Sequence, residues 1–243
     1  MKNIAIIPAR GGSKRIPGKN IKPFAGQPMI AWSIQAAEAS GLFSRIIVST
    51  DSEEIARVAR QYGAEIPFVR PAGLADDFTP TADVVLHALE WLAGEGQEPE
   101  LVCCLYATAP FVKASFLRQG HELLRRTGAA SVFTVASYPA SPFRALTIGP
   151  DGRLSMLWPE HELTRSNDLP EAYHDAGQFY WLDVARFRRE KRMYASDARP
   201  VVLPRRLVQD IDTPEDWLTA EAMHQALRIA GELTDNQAEE KMP

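Results

Sequence analysis

Four short apolar runs constrain the fold most: Ile4–Ile7, "RIIVST" (45–50), "LVCCLY" (101–106) and "ASVFTVAS" (130–137). Each is too short for a helix and is bounded by polar or turn residues, so each reads as a strand. The segments between them carry helical spacing. Ile30, Ile34 and Ala37 share one face, and Gly41 closes it. Asp51 with Glu54 reads as a capping box that opens a helix bearing Ile55, Val58, Ala59 and Tyr62, with Gly63 as its stop. Val85, Ala88, Leu89 and Leu92 predict a third helix, and residues 114–126 a fourth. Strands that alternate with helices mean βαβ units and a mostly parallel sheet, an α/β fold. At 243 residues and 45% hydrophobic, the chain can bury this core as one domain spanning 1–243.

From about residue 139 the rhythm changes. Proline- and glycine-marked turns, including Pro150-Asp151-Gly152, punctuate short strand-like pieces over roughly 139–175. This predicts a β-rich excursion from the sheet, suited to a lid or a dimerisation arm. "QFYWLDV" (178–184) and "PVVLP" (200–204) restore strand character, and Thr213-Pro214 announces a final helix to about 230. Residues 231–243 read as a polar tail.

The chemistry starts where the first strand ends. Pro8 closes it, and the following loop carries Arg10, Lys14, Arg15, Lys19 and Lys22 with little apolar material. Gly11 and Gly12 are expected to allow unusual backbone angles and a close approach to backbone amides. A triphosphate would answer both features, and ligands of open α/β sheets bind beyond the carboxyl ends of the strands. The spacing is neither a Walker A loop nor G-x-G-x-x-G. Taken alone, the loop is also compatible with a solvated basic turn. The overall net charge of −4 lacks the broad basic surface of a nucleic-acid binder, so the basic loop is local.

A second feature is "VQDIDTPEDW" (208–217). If it is extended, the period of two places Asp210 and Asp212 on one face, where paired carboxylates suit a hard cation such as Mg²⁺. A cap-region acid at a helix start explains Asp212 equally well, but not Asp210. The stretch "YHDAGQFYW" (173–181) offers core aromatics in Phe179 and Trp181, an ordinary loop residue in His174, and Gly177 as a bulge or a site of close approach. Cys103 and Cys104, adjacent in an apolar run, match neither a zinc site nor a disulfide framework. With no apolar run of membrane-spanning length and no signal-peptide pattern, the expectation is a soluble cytoplasmic protein.

The combination of "IPARGGSKRIPGKNIKPFAGQPMIAWSIQAA", "IIVSTDSEEIA", "YATAPF" and "DIDTPEDW" closely resembles the acylneuraminate cytidylyltransferases, through about residue 217. The resemblance implies a Rossmann-like nucleotide-diphospho-sugar transferase fold, a homodimer, and transfer of CMP from CTP to a nine-carbon 2-keto sugar acid with release of pyrophosphate. It implies catalytic roles for Arg10, Lys19, Asp210 and Asp212, with Mg²⁺ on the two aspartates. Nucleotide contacts are implied for Ala9, Arg10, Gly11, Gly12, Ser13, Lys19 and Asn20, and cytosine contacts for Arg70 and Thr81. Sugar contacts are implied for Tyr106 and Thr108, for Arg165, and for Asp175, Gly177, Gln178 and Tyr180. Sialic acid enzymes typically read Gln-Pro-Thr-Ser-Pro where this chain has "YATAP", and Asn-Gly-Ala at its Ala176, Gly177 and Gln178. Both differences are similar to the pseudaminic acid branch. Sialic or legionaminic acid as acceptor, and a non-catalytic nucleotide binder, are the alternatives.

Overall fold

A computed structural model describes residues 3–233. Its centre is a six-stranded sheet in the order β10-β6-β9-β5-β1-β4. The strands are β1 (Asn3–Pro8), β4 (Phe43–Ser49), β5 (Leu101–Leu105), β6 (Ser131–Ser137), β9 (Tyr173–Asp183) and β10 (Arg199–Val202). β2 (Pro23–Phe24) pairs with β3 (Gln27–Pro28), and β7 (Leu146–Ile148) with β8 (Leu154–Met156), as separate ribbons. β1 is parallel to β4 and β5, and β10 is parallel to β6. β9 runs antiparallel between β5 and β6.

Alternation along the strands divides the core between the two faces of the sheet. Ala5, Ile7, Leu101, Cys103, Phe179 and Trp181 pack in one cluster with α1 (Met29–Ser40), α2 (Glu53–Gln61) and α4 (Ala114–Thr127). Ile4, Ile6, Val102, Cys104, Tyr180 and Leu182 pack in the other with α3 (Thr81–Gly94) and α5 (Val184–Glu190). Gly120 lets α4 sit this close: a Cβ there would lie 2.8 Å from the Trp181 ring.

Three local expectations need correction. Ser52, rather than Asp51, caps α2, accepting a hydrogen bond from the Ile55 amide. Gly11 and Gly12 do not use the left-handed region; Gly18 does, at φ +63°. The 139–175 excursion holds only the three-residue strands β7 and β8 of its own, the rest being turns and short 3₁₀ segments. The last helix, α6 (Pro214–Ile229), carries the expected start, here a full capping box between Thr213 and Asp216. Of the tail placed at 231–243, residues 234–243 lie outside the described residues.

The topology positions the site. β1 has β4 on one side and β5 on the other, so the chain reverses direction of travel across the sheet there, and a crevice opens at the carboxyl ends of these strands. Because β9 is antiparallel, its first residues also lie at this end, with Phe179 opposite Leu105. A third apolar cluster joins Ile16 and Phe24 of the basic loop to Leu207, Ile211, Trp217 and Leu227. Two segments far apart in sequence, the basic loop and the Asp210–Asp212 stretch, are thereby packed against each other.

Candidate active site

A cleft of about 550 Å³ occupies that crevice. The end of β1 contributes Pro8, and the loop after it Arg10, Ser13, Lys14, Arg15, Lys19 and Asn20. The opposite wall is Arg70, Leu74, Asp76, Asp77, Thr79, Thr81 and Val84, and Tyr106, Ala107, Thr108 and Asp212 complete it. The loop is held from behind. Asp51 accepts the Gly11 amide at 2.8 Å, and buried Asn20 donates to the Arg10 carbonyl at 2.9 Å. The tight approach of Gly11 to the Ser52 side chain, 3.1 Å from an added Cβ, accounts for that glycine sterically. Gly12 has open space around it.

Four loop cations converge on two carboxylates. Asp77 takes Arg10 at 2.6 Å and Lys14 at 2.5 Å. Asp212 takes Arg15 at 2.9 Å and Lys19 at 3.3 Å, and Lys19 also donates to the Ile211 carbonyl. Hydrogen bonds from Lys14 and Arg10 hold the Asp77 carboxyl below the usual carboxylate range. Asp76 is lowered similarly by the Thr79 hydroxyl and the Thr79 and Phe78 amides. Lys22, the fifth cation of the loop, lies elsewhere: its ammonium sits 4.3 Å from the centre of the Trp217 ring.

Arg70 is buried against Ser49, donating from Nε to the side-chain oxygen at 3.1 Å and from Nη2 to the carbonyl. Burial lowers its pKa to about 10, with the Asp51 charge opposing the shift, so the guanidinium stays charged at neutral pH. A fixed, buried cation lining the cleft can orient a polar ring without being displaced by solvent.

At the other end the cleft is lined by phenol rather than charge. The Tyr106 hydroxyl lies 3.4 Å from Thr81 Oγ1, and the Tyr106 amide donates to the Gln178 carbonyl. The Tyr106 ring packs against Tyr180 at 5.3 Å. Tyr180 and Tyr194 both donate their hydroxyls to Asp175, whose other oxygen accepts the Gly177 amide at 2.9 Å. Burial pushes the Tyr106 and Tyr180 hydroxyls above the usual phenol range and lifts Tyr194 to about 12. All three remain neutral donors at neutral pH.

Of the expected site residues, Arg10, Ser13, Lys19, Asn20, Arg70, Thr81, Tyr106, Thr108 and Asp212 come together around the cleft. Others sit behind it. Ala9 is buried, and its amide bonds to the Ser49 carbonyl. The Gly11 amide faces Asp51 rather than the cleft. Asp175 and Tyr180 form the network under Tyr106. Gln178 is buried and donates to the Leu207 carbonyl, tying β9 to the segment before Asp212. Gly177 takes φ +61° beside the shift in register between β6 and β9, so it is a bulge. Arg165 is the clear departure. It lies on the excursion with a side chain 81% exposed, 4.0 Å from Asp168, and lines neither cavity of this region. The stretch carrying Asp210 and Asp212 is irregular rather than a strand, and only Asp212 lines the cleft. Their carboxyls are nonetheless close enough to interact. Partial desolvation, then the Asp212 charge, raises the Asp210 pKa above the usual range. Asp77, Asp51 and Tyr194 carry roles that residue patterns did not point out. Only the Asp76-Asp77 pair, opposite in sign to the basic loop and shortly after Arg70, offered a signal.

Comparison with known proteins places this geometry. A family model described as cytidylyltransferase matches residues 4–229. The chain is 42% identical to a pseudaminic acid cytidylyltransferase of Campylobacter jejuni over 92% of its own length and 97% of the relative's. It is 36% identical to the CMP-N,N'-diacetyllegionaminic acid synthase of Legionella pneumophila, covering 92% and 96%. Among solved structures, CMP:2-keto-3-deoxy-manno-octonic acid synthetase complexed with CTP shares the fold, with a TM-score of 0.66 at 16% identity over 93% of this chain and 99% of the other. The match runs from β1 to α6 and takes in both walls of the cleft, and the chain belongs to the cytidylyltransferase family of CTP-dependent nucleotidyltransferases.

Proposed function

We propose that this enzyme transfers CMP from CTP to the anomeric hydroxyl of a nine-carbon 2-keto sugar acid of the pseudaminic type, releasing pyrophosphate. The observation that carries the reading is the convergence of Arg10, Lys14, Arg15 and Lys19 on one cleft whose other end is lined by Tyr106 and Thr81. The cationic end suits the triphosphate and the neutral end suits a sugar. The 42% identity to a pseudaminic acid cytidylyltransferase, spanning nearly both chains, supports the acceptor class.

In this reading the sugar's 2-hydroxyl attacks the α-phosphorus and gives up its proton to solvent, and the bond to the β,γ-pyrophosphate breaks with the electron pair leaving on pyrophosphate. Arg10 and Lys19 bind the phosphates and offset the charge that grows on the leaving group. Asn20 fixes the backbone that carries Arg10. Arg70 and Thr81 orient the cytosine, and Tyr106 holds the acceptor against the α-phosphate. A divalent cation such as Mg²⁺ would be held by Asp210 and Asp212, because partial desolvation and then the Asp212 charge raise the proton affinity of Asp210, and a cation between the carboxylates would relieve that repulsion. When bound there, it supplies Lewis-acid polarisation of phosphate oxygens.

The assembly we propose is a homodimer in the cytoplasm. No helix among the described residues is long and apolar enough to cross a membrane. The excursion exposes Leu146, Ile148, Leu154, Leu157 and Leu163, Ile148 to 74% and Leu163 to 93%, and a second copy would cover them. Pyrophosphate release from CTP, measured across a panel of nine-carbon 2-keto acids, tests the function. Turnover should be highest with pseudaminic acid and at least about a hundredfold less efficient with sialic acid, as two lost polar pairings of about 1–3 kcal/mol each require. Equal kcat/KM for the two acids would reject the acceptor, and no turnover with any of them would reject the reaction.

A further inference from the structure

The stretch "STDS" (49–52), at the carboxyl end of β4, lines no part of the cleft, yet both walls of the cleft are tied to it. On one side it holds the phosphate loop. The Ala9 amide donates to the Ser49 carbonyl at 2.9 Å, and the Gly11 amide to Asp51 Oδ1 at 2.8 Å. On the other side it holds Arg70. The Arg70 amide donates to the Thr50 carbonyl at 2.8 Å, Nε to Ser49 Oγ at 3.1 Å, and Nη2 to the Ser49 carbonyl. A single carbonyl, that of Ser49, thus accepts from both walls, and both of its lone pairs are spent. Ser49, Thr50 and Arg70 are buried, whereas Asp51 is exposed.

We propose that Ser49 and Asp51 are positioning residues that set base selection and phosphate grip together, with Asp51 serving both through one carboxylate. The inference rests on the reading of Arg70 as the cytosine contact and of the basic loop as the phosphate contact, and it names what holds the two in register. Asp51 does two separable things. As an acceptor, Oδ1 fixes the Gly11 amide and with it the turn that presents Arg10. As a charge, it offsets the burial of Arg70. Desolvation disfavours the Arg70 guanidinium most, the Asp51 charge opposes that, and the Arg10 charge adds to it. An amide in place of the carboxylate would keep the first role and lose the second.

Local structure does not require Asp51. The cap of α2 is Ser52, and an exposed carboxylate fills no core. The loop backbone lies directly on this corner: a Cβ at Gly11 would be 3.1 Å from Ser52 Cβ and 3.7 Å from Asp51 Oδ2. On the Arg70 side, Ser49 engages Nε and Nη2, and among the described residues Nη1 has no hydrogen-bond partner. Nη1 is therefore the nitrogen left for a ligand. Cytosine presents adjacent acceptors at O2 and N3, whereas uracil presents a donor at N3. A group that only donates favours cytosine at that edge. The preference holds only while the guanidinium is fixed, and a long side chain is fixed by what packs and bonds behind it.

The test is calorimetric binding of CTP, UTP and pyrophosphate to the full chain in Mg²⁺ buffer, with no acceptor present. The wild type should bind CTP more tightly than UTP. Asp51→Asn should shrink that preference about three- to tenfold, the scale of one hydrogen bond, and leave the Kd for pyrophosphate within about twofold. Asp51→Ala should shrink the preference equally and also raise the Kd for pyrophosphate about three- to tenfold. Ser49→Ala removes the Nε acceptor but keeps the carbonyl and the carboxylate, so it should lose base preference and spare pyrophosphate. A merely structural role would move all three ligands together and could not produce this split. Full CTP preference in both Asp51→Asn and Ser49→Ala, or an unchanged Kd for pyrophosphate in Asp51→Ala, overturns the inference while the reaction stands. If the wild type binds CTP and UTP equally, the reading of Arg70 falls instead, and the pyrophosphate comparison still decides whether Asp51 holds the loop.

Discussion

The two ends of the cleft are built on opposite principles. At the phosphate end, charge sits on loop side chains, Lys14 and Arg15 exposed and Lys19 largely covered, and the partners are loop carboxylates, Asp77 and Asp212. At the tyrosine end, phenols gathered around the Asp175 carboxylate are anchored on β5 and β9, with Tyr180 only 2% exposed. Ion pairs at the surface contribute little to stability, so the first end can exchange its internal partners for a ligand at small cost. A buried hydrogen-bonded network is costly to disturb, so the second end keeps its shape whichever substrate is present. A nucleotidyltransferase benefits from both: a mobile grip on a leaving polyanion, and a rigid template for the acceptor it must select.

The sharpest way to break the contrast is at Asp212, which touches both loop cations and the proposed metal. Asp212→Asn should lower kcat by more than about a hundredfold with the melting temperature nearly unchanged, because an amide keeps the shape and removes the charge. Excess EDTA should abolish turnover in the wild type. Full activity in EDTA would remove the cation from the mechanism. Next in size, Lys19→Ala and Arg10→Ala should each reduce kcat/KM for CTP by about ten- to a hundredfold, the loss of one charge-assisted phosphate contact. Circular dichroism should show both folded.

A substitution at the other end should do the reverse. Tyr180→Phe removes one of three donors from half-buried Asp175, and losing a hydrogen bond to a charged group costs about 1.5–3 kcal/mol of stability. Melting should move down by several degrees while KM for CTP stays within twofold. The pH response follows from the same network. Tyr194 is raised to about 12, so the folded state holds its proton more tightly than the unfolded chain does. Its contribution is complete below the ordinary tyrosine value near 10 and is lost as pH rises from there through 12. Thermal melts should therefore weaken above about pH 10, and less so in Tyr194→Phe.

The difference between the ends also sets what could be read from the residues. Strands, helices and the basic loop were legible because apolar runs, 3.6-residue spacing and clustered charge are local patterns. The Asp210-Asp212 spacing is local too, but the stretch is irregular rather than extended, and only Asp212 lines the cleft. Asp175 and Gln178 were placed in the right region, but their partners were not legible, since only the antiparallel insertion of β9 turns their side chains toward Tyr194 and Leu207. No local pattern marks Tyr194, which reaches the site through a left-handed turn at Lys191. Asp51 satisfied a capping pattern, yet a serine one position later had the better geometry, and Asp51 went to the Gly11 amide 40 residues away. Arg165 was carried by resemblance alone, and in this chain it points into neither cavity.

The smallest effect tests whether the internal pairing at the phosphate end is a competitor for the ligand. Asp77 bridges Arg10 and Lys14 where the β,γ-phosphates are proposed to sit, so binding CTP requires that carboxylate to give way. Asp77→Asn should lower KM for CTP by about two- to fivefold, the scale of one partly exposed ion pair, with kcat unchanged or slightly reduced as pyrophosphate leaves more slowly. The sign with pH is fixed. The two cations depress the Asp77 pKa, so the bridge is complete above the ordinary carboxylate value near 4 and is lost only as pH falls below it. The advantage of Asp77→Asn should accordingly be flat between pH 6 and 9 and should shrink in high salt, which screens the bridge in the wild type. A higher KM for CTP in Asp77→Asn would mean that the carboxylate orders the loop cations for the ligand instead of competing with it, and the contrast between an exchangeable end and a preformed end would fail there.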